Sequence, residues 1–210
     1  MKNIAVFASG AGSNFKVIHD QIQLGNIFGQ IILVVSNNPD CGAIIYAKEH
    51  KLPILIVNSI KYPNSDLYES RILKALGTSQ IDLICLAGYL KLLPNKVVTR
   101  YKNQILNIHP SLLPDFGGKG FYGMKVHEEV IKAKVSTSGA TVHFVDAEYD
   151  HGPVIAQSKV DVFSSDTSET LAKRVLQAEH KLYSIVVKAF CEDKIICGKN
   201  KPIIEVFNEN

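Results

Sequence analysis

Ile4-Ala5-Val6-Phe7-Ala8-Ser9-Gly10-Ala11-Gly12-Ser13-Asn14 passes from five apolar residues straight into a glycine turn, and helical periodicity follows. An uninterrupted apolar run suits a strand buried on both faces. Strand, glycine turn and helix in that order open a βαβ unit, so this stretch predicts a parallel sheet. Similar runs recur at 31–35, 54–57 and 81–87, with helical patterns near 15–24, 42–50 and 66–76 between them. Asn64 and Ser65 stand ready to cap the third helix.

A fifth strand at 104–109 follows a helix that Pro94 opens, where the missing N–H costs little. Then the rhythm changes. Residues 115–123 carry Gly117, Gly118, Gly120 and Gly123 with no apolar period, which predicts a sharply bent loop. A helix near 124–134 precedes two strands, 139–145 and 153–163, joined by Glu148-Tyr149-Asp150-His151-Gly152. So short a connection makes the pair antiparallel. The last helix is expected to open at Asp166 with Glu169 completing a capping box. The expected fold is α/β: a Rossmann-like, mainly parallel twisted sheet with helices on both faces and an antiparallel C-terminal extension.

Composition narrows the function classes. The 210 residues are 46% hydrophobic and 20% charged, enough for a core and wrong for disorder or a coiled coil. A net charge of +3 is too small to suggest a nucleic-acid surface. No apolar run approaches the roughly 20 residues that span a bilayer, so no membrane role is expected. Four cysteines make neither a disulfide framework nor a C-x-x-C metal pair. A reducing, cytoplasmic setting and no metal are the expectations.

Three segments carry chemistry. In Ser9–Asn14, glycines let the backbone approach an anion, and the free N–H groups of a helix start favour phosphate. The dinucleotide fingerprint fails, because Phe15 stands where a third glycine belongs and the second strand ends Ser36-Asn37-Asn38 without an acid. A monophosphate seat is one reading; a tight turn capped by Ser13 is the other. In Asn107-Ile108-His109-Pro110-Ser111, alternation puts Asn107 and His109 on one side of a strand's carboxyl end. An amide and an imidazole projecting together suit an oxyanion and a proton transfer. Asp150, before Gly152-Pro153, is ordinary turn chemistry by itself, but a carboxylate near an imidazole raises its pKa and orients it. Among the other histidines, His143 reads as a satisfied, partly buried group, and His19, His50 and His127 as solvent-facing. His180, beside Glu179, reads as either surface or site.

Together, S-G-A-G-S-N after the first strand, L-N-I-H-P-S-L-L-P after the fifth, and H-F-V-D-A-E-Y-D-H-G-P-V-I across the hairpin resemble the folate-dependent formyltransferases. The likeness runs from Ile4 to about Phe190. It implies formyl transfer from 10-formyltetrahydrofolate to the amine of phosphoribosylglycinamide, a step of purine synthesis. It further implies Asn107, His109 and Asp150 as the catalytic set, and Gly12, Ser13 and Asn14 around the substrate's phosphate. Glu179 would hold the ribose hydroxyls. Leu90, Lys91, Leu92 and Leu93, with Asn107, would line the folate pocket. Ser65 stands where some members have a folate-binding arginine.

The resemblance implies one unit over 1–210: a phosphate-binding half to about 100, a folate and catalytic half to about 190, and a tail beyond. It also implies small-molecule substrates and a monomer or weak homodimer. Two rivals share the features: a formyltetrahydrofolate deformylase, and a phosphosugar-binding module without chemistry. The deformylases carry an added N-terminal domain, whereas the first strand here begins at Ile4.

Overall fold

The computed structural model describes residues 1–197 and 202–204. Four βα units come first: β1 (Lys2–Phe7), α1 (Ser13–Gln23), β2 (Gly29–Ser36), α2 (Gly42–Glu49), β3 (Ile54–Ile56), α3 (Ser65–Thr78), β4 (Leu83–Leu86) and α4 (Asn95–Arg100). Then come β5 (Ile105–His109), α5 (Met124–Ala133), β6 (Thr137–Phe144), β7 (Val154–Asp161) and α6 (Ser168–Cys191), with a hairpin of β8 (Ile195–Cys197) and β9 (Pro202–Ile204) last. The main sheet runs β3-β2-β1-β4-β5-β6-β7, parallel through β5 and antiparallel at β6 and β7. This is the mainly parallel, Rossmann-like arrangement with an antiparallel extension expected above.

Alternation along β1 builds a core on each face of the sheet. Ile4 and Val6 join Phe15 and Ile18 of α1, Ile44 of α2 and Leu171, Val175 and Tyr183 of α6. Ala5 and Phe7 join Ile72 and Leu76 of α3 and Val97 of α4. Helices cover both faces because β1 to β3 winds one way and β4 to β5 the other. That change of direction leaves a crevice between the carboxyl ends of β1 and β4, where ligands bind in open α/β sheets. Tyr183 fastens α6 beneath it, with its hydroxyl 3.1 Å from the Leu86 carbonyl oxygen and 3.0 Å from that of Leu106.

Two local expectations are corrected. The start of α6 is capped by Thr167, whose hydroxyl accepts from Thr170 N–H while the Thr170 hydroxyl accepts from Thr167 N–H. Asp166 lies one residue before the cap, its carboxylate held by the Arg174 guanidinium at 2.7 and 2.8 Å and by the Phe163 N–H and Thr170 hydroxyl at 2.8 Å each. Nor does His19 face solvent: it is buried between α1 and α2, with Nδ1 2.9 Å from the Tyr46 hydroxyl. No helix among the described residues is long and apolar enough to cross a membrane.

Candidate active site

A cleft of about 740 Å³ opens at the crevice, lined by the loop after β1, the loop after β4, the end of β5 and the glycine-rich loop before α5. Ser9 ties two of these rims together. Its N–H donates to the Gly88 carbonyl and its hydroxyl accepts from Leu90 N–H, both at 3.0 Å.

Gly12 caps α1 with φ 72, and no side chain caps the helix. The Ser13 cap therefore does not form. A Cβ at Gly12 would come within 2.7 Å of the Ala43 side chain, so glycine is needed for close packing on α2 as well as for the left-handed turn. The first N–H groups of α1 remain free for an anion. Asn14 and Glu179 meet behind them, Nδ2 donating to Oε2 at 2.7 Å, while the buried Asn14 Oδ1 has no partner. Burial pushes the Glu179 carboxyl up to about 7, partly offset by the Asn14 bond. Orphaned acceptors beside a carboxyl suit the hydroxyl donors of a sugar.

At the other end, β5 and β6 place the reactive groups. Asn107 lies directly opposite His143 in the ladder, and His109 opposite Thr141. Asn107 Nδ2 is 3.0 Å from His143 Nε2 and donates to Asp150 Oδ1 at 3.2 Å. Asp150 Oδ2 lies 3.4 Å from His109 Nδ1 and accepts from Gly118 N–H at 3.0 Å. His109 Nε2 is 2.8 Å from the Phe116 carbonyl oxygen, so both ring nitrogens face acceptors. Burial lowers the pKa of His109, and Asp150 and the Phe116 carbonyl oppose that shift. Burial pushes the Asp150 carboxyl up, and His109 and the Gly118 amide oppose that shift.

The turn that carries Asp150 is itself sequence-determined. Asp150 adopts φ 53, a left-handed conformation that Asp tolerates better than most residues. Any side chain on Gly152 would strike the Phe144 carbonyl. The exit from β5 is fastened by Thr141, whose buried hydroxyl donates to Ser111 O at 2.6 Å and accepts from Leu113 N–H at 3.0 Å.

The structure thus brings Asn107 and His109 together onto Asp150, and Gly12, Ser13, Asn14 and Glu179 into the same cleft. The folate-pocket residues are divided. Leu90 lines the cleft, whereas Lys91 and Leu92 line a neighbouring hollow with Ser65 and Tyr68. Leu93 is 3% exposed and packs into the core with Tyr89 and Val97, because the chain turns inward there to begin α4. The surroundings of two further histidines emerge only from the structure. His143 is buried and satisfied, as expected, and it also joins Asn107 and Asp150, a placement legible only once the β5–β6 register is known. His127 of α5 is buried at the cleft with an unpartnered Nδ1, and burial pushes its pKa down to about 4. Among the described residues no group of His, Cys, Asp and Glu could hold a metal ion.

A formyl transferase profile matches residues 2–187. The chain is 49% identical over 195 residues to a chloroplastic phosphoribosylglycinamide formyltransferase of Arabidopsis thaliana, covering 92% of this chain and 67% of that protein. It is 36% identical over 195 residues to the phosphoribosylglycinamide formyltransferase of Haemophilus influenzae, covering 93% of this chain and 90% of that one. Across three plant relatives the chain spans about two thirds of their length, 65 to 67%. The crystal structure of glycinamide ribonucleotide transformylase 1 from Symbiobacterium toebii superposes with a TM-score of 0.90 at 34% identity, covering 97% of this chain and 94% of that one.

Proposed function

The chain belongs to the formyl transferase family, and we propose that it moves a formyl group from 10-formyltetrahydrofolate to the amine of phosphoribosylglycinamide in purine biosynthesis. The observation that carries this reading is the convergence of Asn107 and His109 on one carboxylate, Asp150, in a cleft that also holds the start of α1.

In the reaction, the amine lone pair attacks the formyl carbon and a tetrahedral oxyanion develops. The new C–N bond persists, the bond to folate N10 breaks, and the proton lost by the amine ends on N10. His109 carries the proton: burial weakens the imidazole's hold on it, and Asp150 opposes that shift and orients the ring. Asn107 supports the oxyanion. Both its amide hydrogens are engaged in the free site, and the longer bond, 3.2 Å to Asp150, is the one a formyl oxygen replaces. A donor aimed at such an oxyanion contributes on the order of 3–4 kcal/mol.

The phosphate rests on Gly12, Ser13 and Asn14, and the ribose on Asn14 and Glu179. Leu90, 51% exposed at the cleft, takes the folate's apolar ring system, and Asn107 faces it. Lys91 and Leu92 meet the glutamyl tail in the neighbouring hollow, while Leu93 anchors their segment in the core. The first half of the chain then supplies the phosphate seat and the second the chemistry, in one catalytic unit. We propose a monomer or weak homodimer acting on small molecules alone, without a metal. Three buried free thiols, Cys41, Cys85 and Cys191, suit a reducing compartment such as the cytoplasm.

Measuring tetrahydrofolate release with and without phosphoribosylglycinamide tests the reading. Turnover that needs the amine and yields the formylated product supports it. Equal turnover without the amine would make the protein a deformylase, and no turnover would leave only a binding role.

A further inference from the structure

The cleft contains two acids, Asp150 and Glu179, and among the described residues lining it only one lysine or arginine, Lys119. A phosphomonoester brings about −1.5 to −2 charges near pH 7. The start of α1 offers roughly half a positive charge. That leaves the charge of a phosphorylated acceptor largely uncompensated in a cleft that already holds the Asp150 carboxyl group.

Lys119 is placed to supply the difference. It is exposed at the tip of the glycine-rich loop and makes no ion pair or hydrogen bond with other described residues. Gly118 and Gly120 flank it with φ 90 and φ 96, backbone that other residues rarely adopt, and the Phe121 N–H donates to the Gly118 carbonyl at 3.1 Å, so the exposed lysine sits in a tight turn. The loop is also anchored: Gly118 N–H donates to Asp150 Oδ2 at 3.0 Å, and the Phe116 carbonyl faces His109 Nε2 at 2.8 Å. Lys119 therefore sits one residue from a peptide group held by the proposed catalytic carboxylate. Nearby Lys125 provides a contrast. Its ammonium lies beside Gly120, 3.8 Å from where a Cβ would be, yet it does not line the cleft.

We infer that Lys119 is the counter-charge for the acceptor's phosphate, delivered by the glycine-rich loop, a proposal that rests on the formyl-transfer reading above. Loop closure then senses the phosphate at one end and touches His109 and Asp150 at the other.

Steady-state kinetics and direct phosphate titration of the full chain test this. Lys119→Ala is expected to raise KM for phosphoribosylglycinamide roughly tenfold, the loss of one charge-assisted contact. The KM for the folate stays unchanged, kcat is little altered, and Lys119→Arg retains most of the affinity. Inorganic phosphate binds Lys119→Ala more weakly by a similar factor, and Lys125→Ala matches wild type. An unchanged KM and phosphate affinity in Lys119→Ala overturns the assignment, as does an equal loss in Lys125→Ala. If the wild type transfers no formyl group, the reaction assigned above fails, and the phosphate titration still decides the role of Lys119.

Discussion

Asn107 Nδ2 and His143 Nε2 lie 3.0 Å apart across a directly opposed pair of the β5–β6 ladder. His143 Nδ1 is 2.8 Å from the Phe144 carbonyl oxygen, which can only accept. The Nδ1 nitrogen therefore carries the proton, and Nε2 accepts from Asn107. One backbone carbonyl thus fixes, through a histidine, which way the Asn107 amide faces. His143→Phe removes the acceptor and keeps an aromatic ring in place. The kcat is expected to fall roughly tenfold to a hundredfold through misplacement of Asn107, with KM for both substrates little changed. A variant with wild-type kcat would show that the amide is held by other means.

Asp150 faces His109, Asn107 and Gly118 from a left-handed turn. Asn is as tolerant of that backbone as Asp, so Asp150→Asn separates charge from conformation. Its melting temperature is expected to stay within a few degrees of wild type, while kcat falls by roughly a hundredfold or more as His109 loses its carboxylate. Circular dichroism melts beside the transfer assay read both quantities. A folded variant with wild-type kcat would remove Asp150 from the chemistry.

The apolar runs of the strands made the parallel half of the sheet legible, because buried strands leave little choice of residue. Strand alternation likewise put Asn107 and His109 on one side, and the turn residues marked Asp150. His143 was not legible. A histidine between Val142 and Phe144 looks like core until the antiparallel register sets it opposite Asn107. The misjudged His19 and His127 have one cause: a helix face covered by a neighbouring helix or loop looks no different in sequence from one open to water. At α6, Asp166 and Thr167 are both good caps by residue type; Thr167 takes the role while the Asp166 carboxylate is held by Arg174. The resemblance places Leu93 in the folate pocket with Leu90, but the turn into α4 sends it to the core.

Gly12 and Gly10 share one loop with different constraints. A Cβ at Gly12 meets Ala43 and must tolerate φ 72, whereas one at Gly10 meets nothing within 4 Å. Gly12→Ala is expected to cost about 1–3 kcal/mol of stability and to raise KM for the phosphorylated acceptor by shifting the start of α1. Gly10→Ala leaves stability near wild type. Chemical denaturation of both variants checks the contrast, and equal stabilities would show that the loop absorbs the clash.

Glu179 and His127 titrate against folding in opposite senses. The Glu179 carboxyl is raised from 4.5 to about 7 by burial, so the folded chain holds a proton there that the unfolded chain releases. Its contribution favours folding below pH 4.5 and is lost as pH rises through about 7. His127 is lowered from 6.5 to about 4, again by burial, so the unfolded chain takes up the proton first. Its contribution is complete above pH 6.5 and is lost as pH falls through about 4. In the wild type the two slopes partly cancel between those limits. Glu179→Gln should leave stability rising with pH across the window, and His127→Gln should leave it falling. Denaturation midpoints at intervals from pH 4 to pH 8 read the slopes directly. Parallel pH profiles in the two variants would mean that neither buried group changes its protonation on folding.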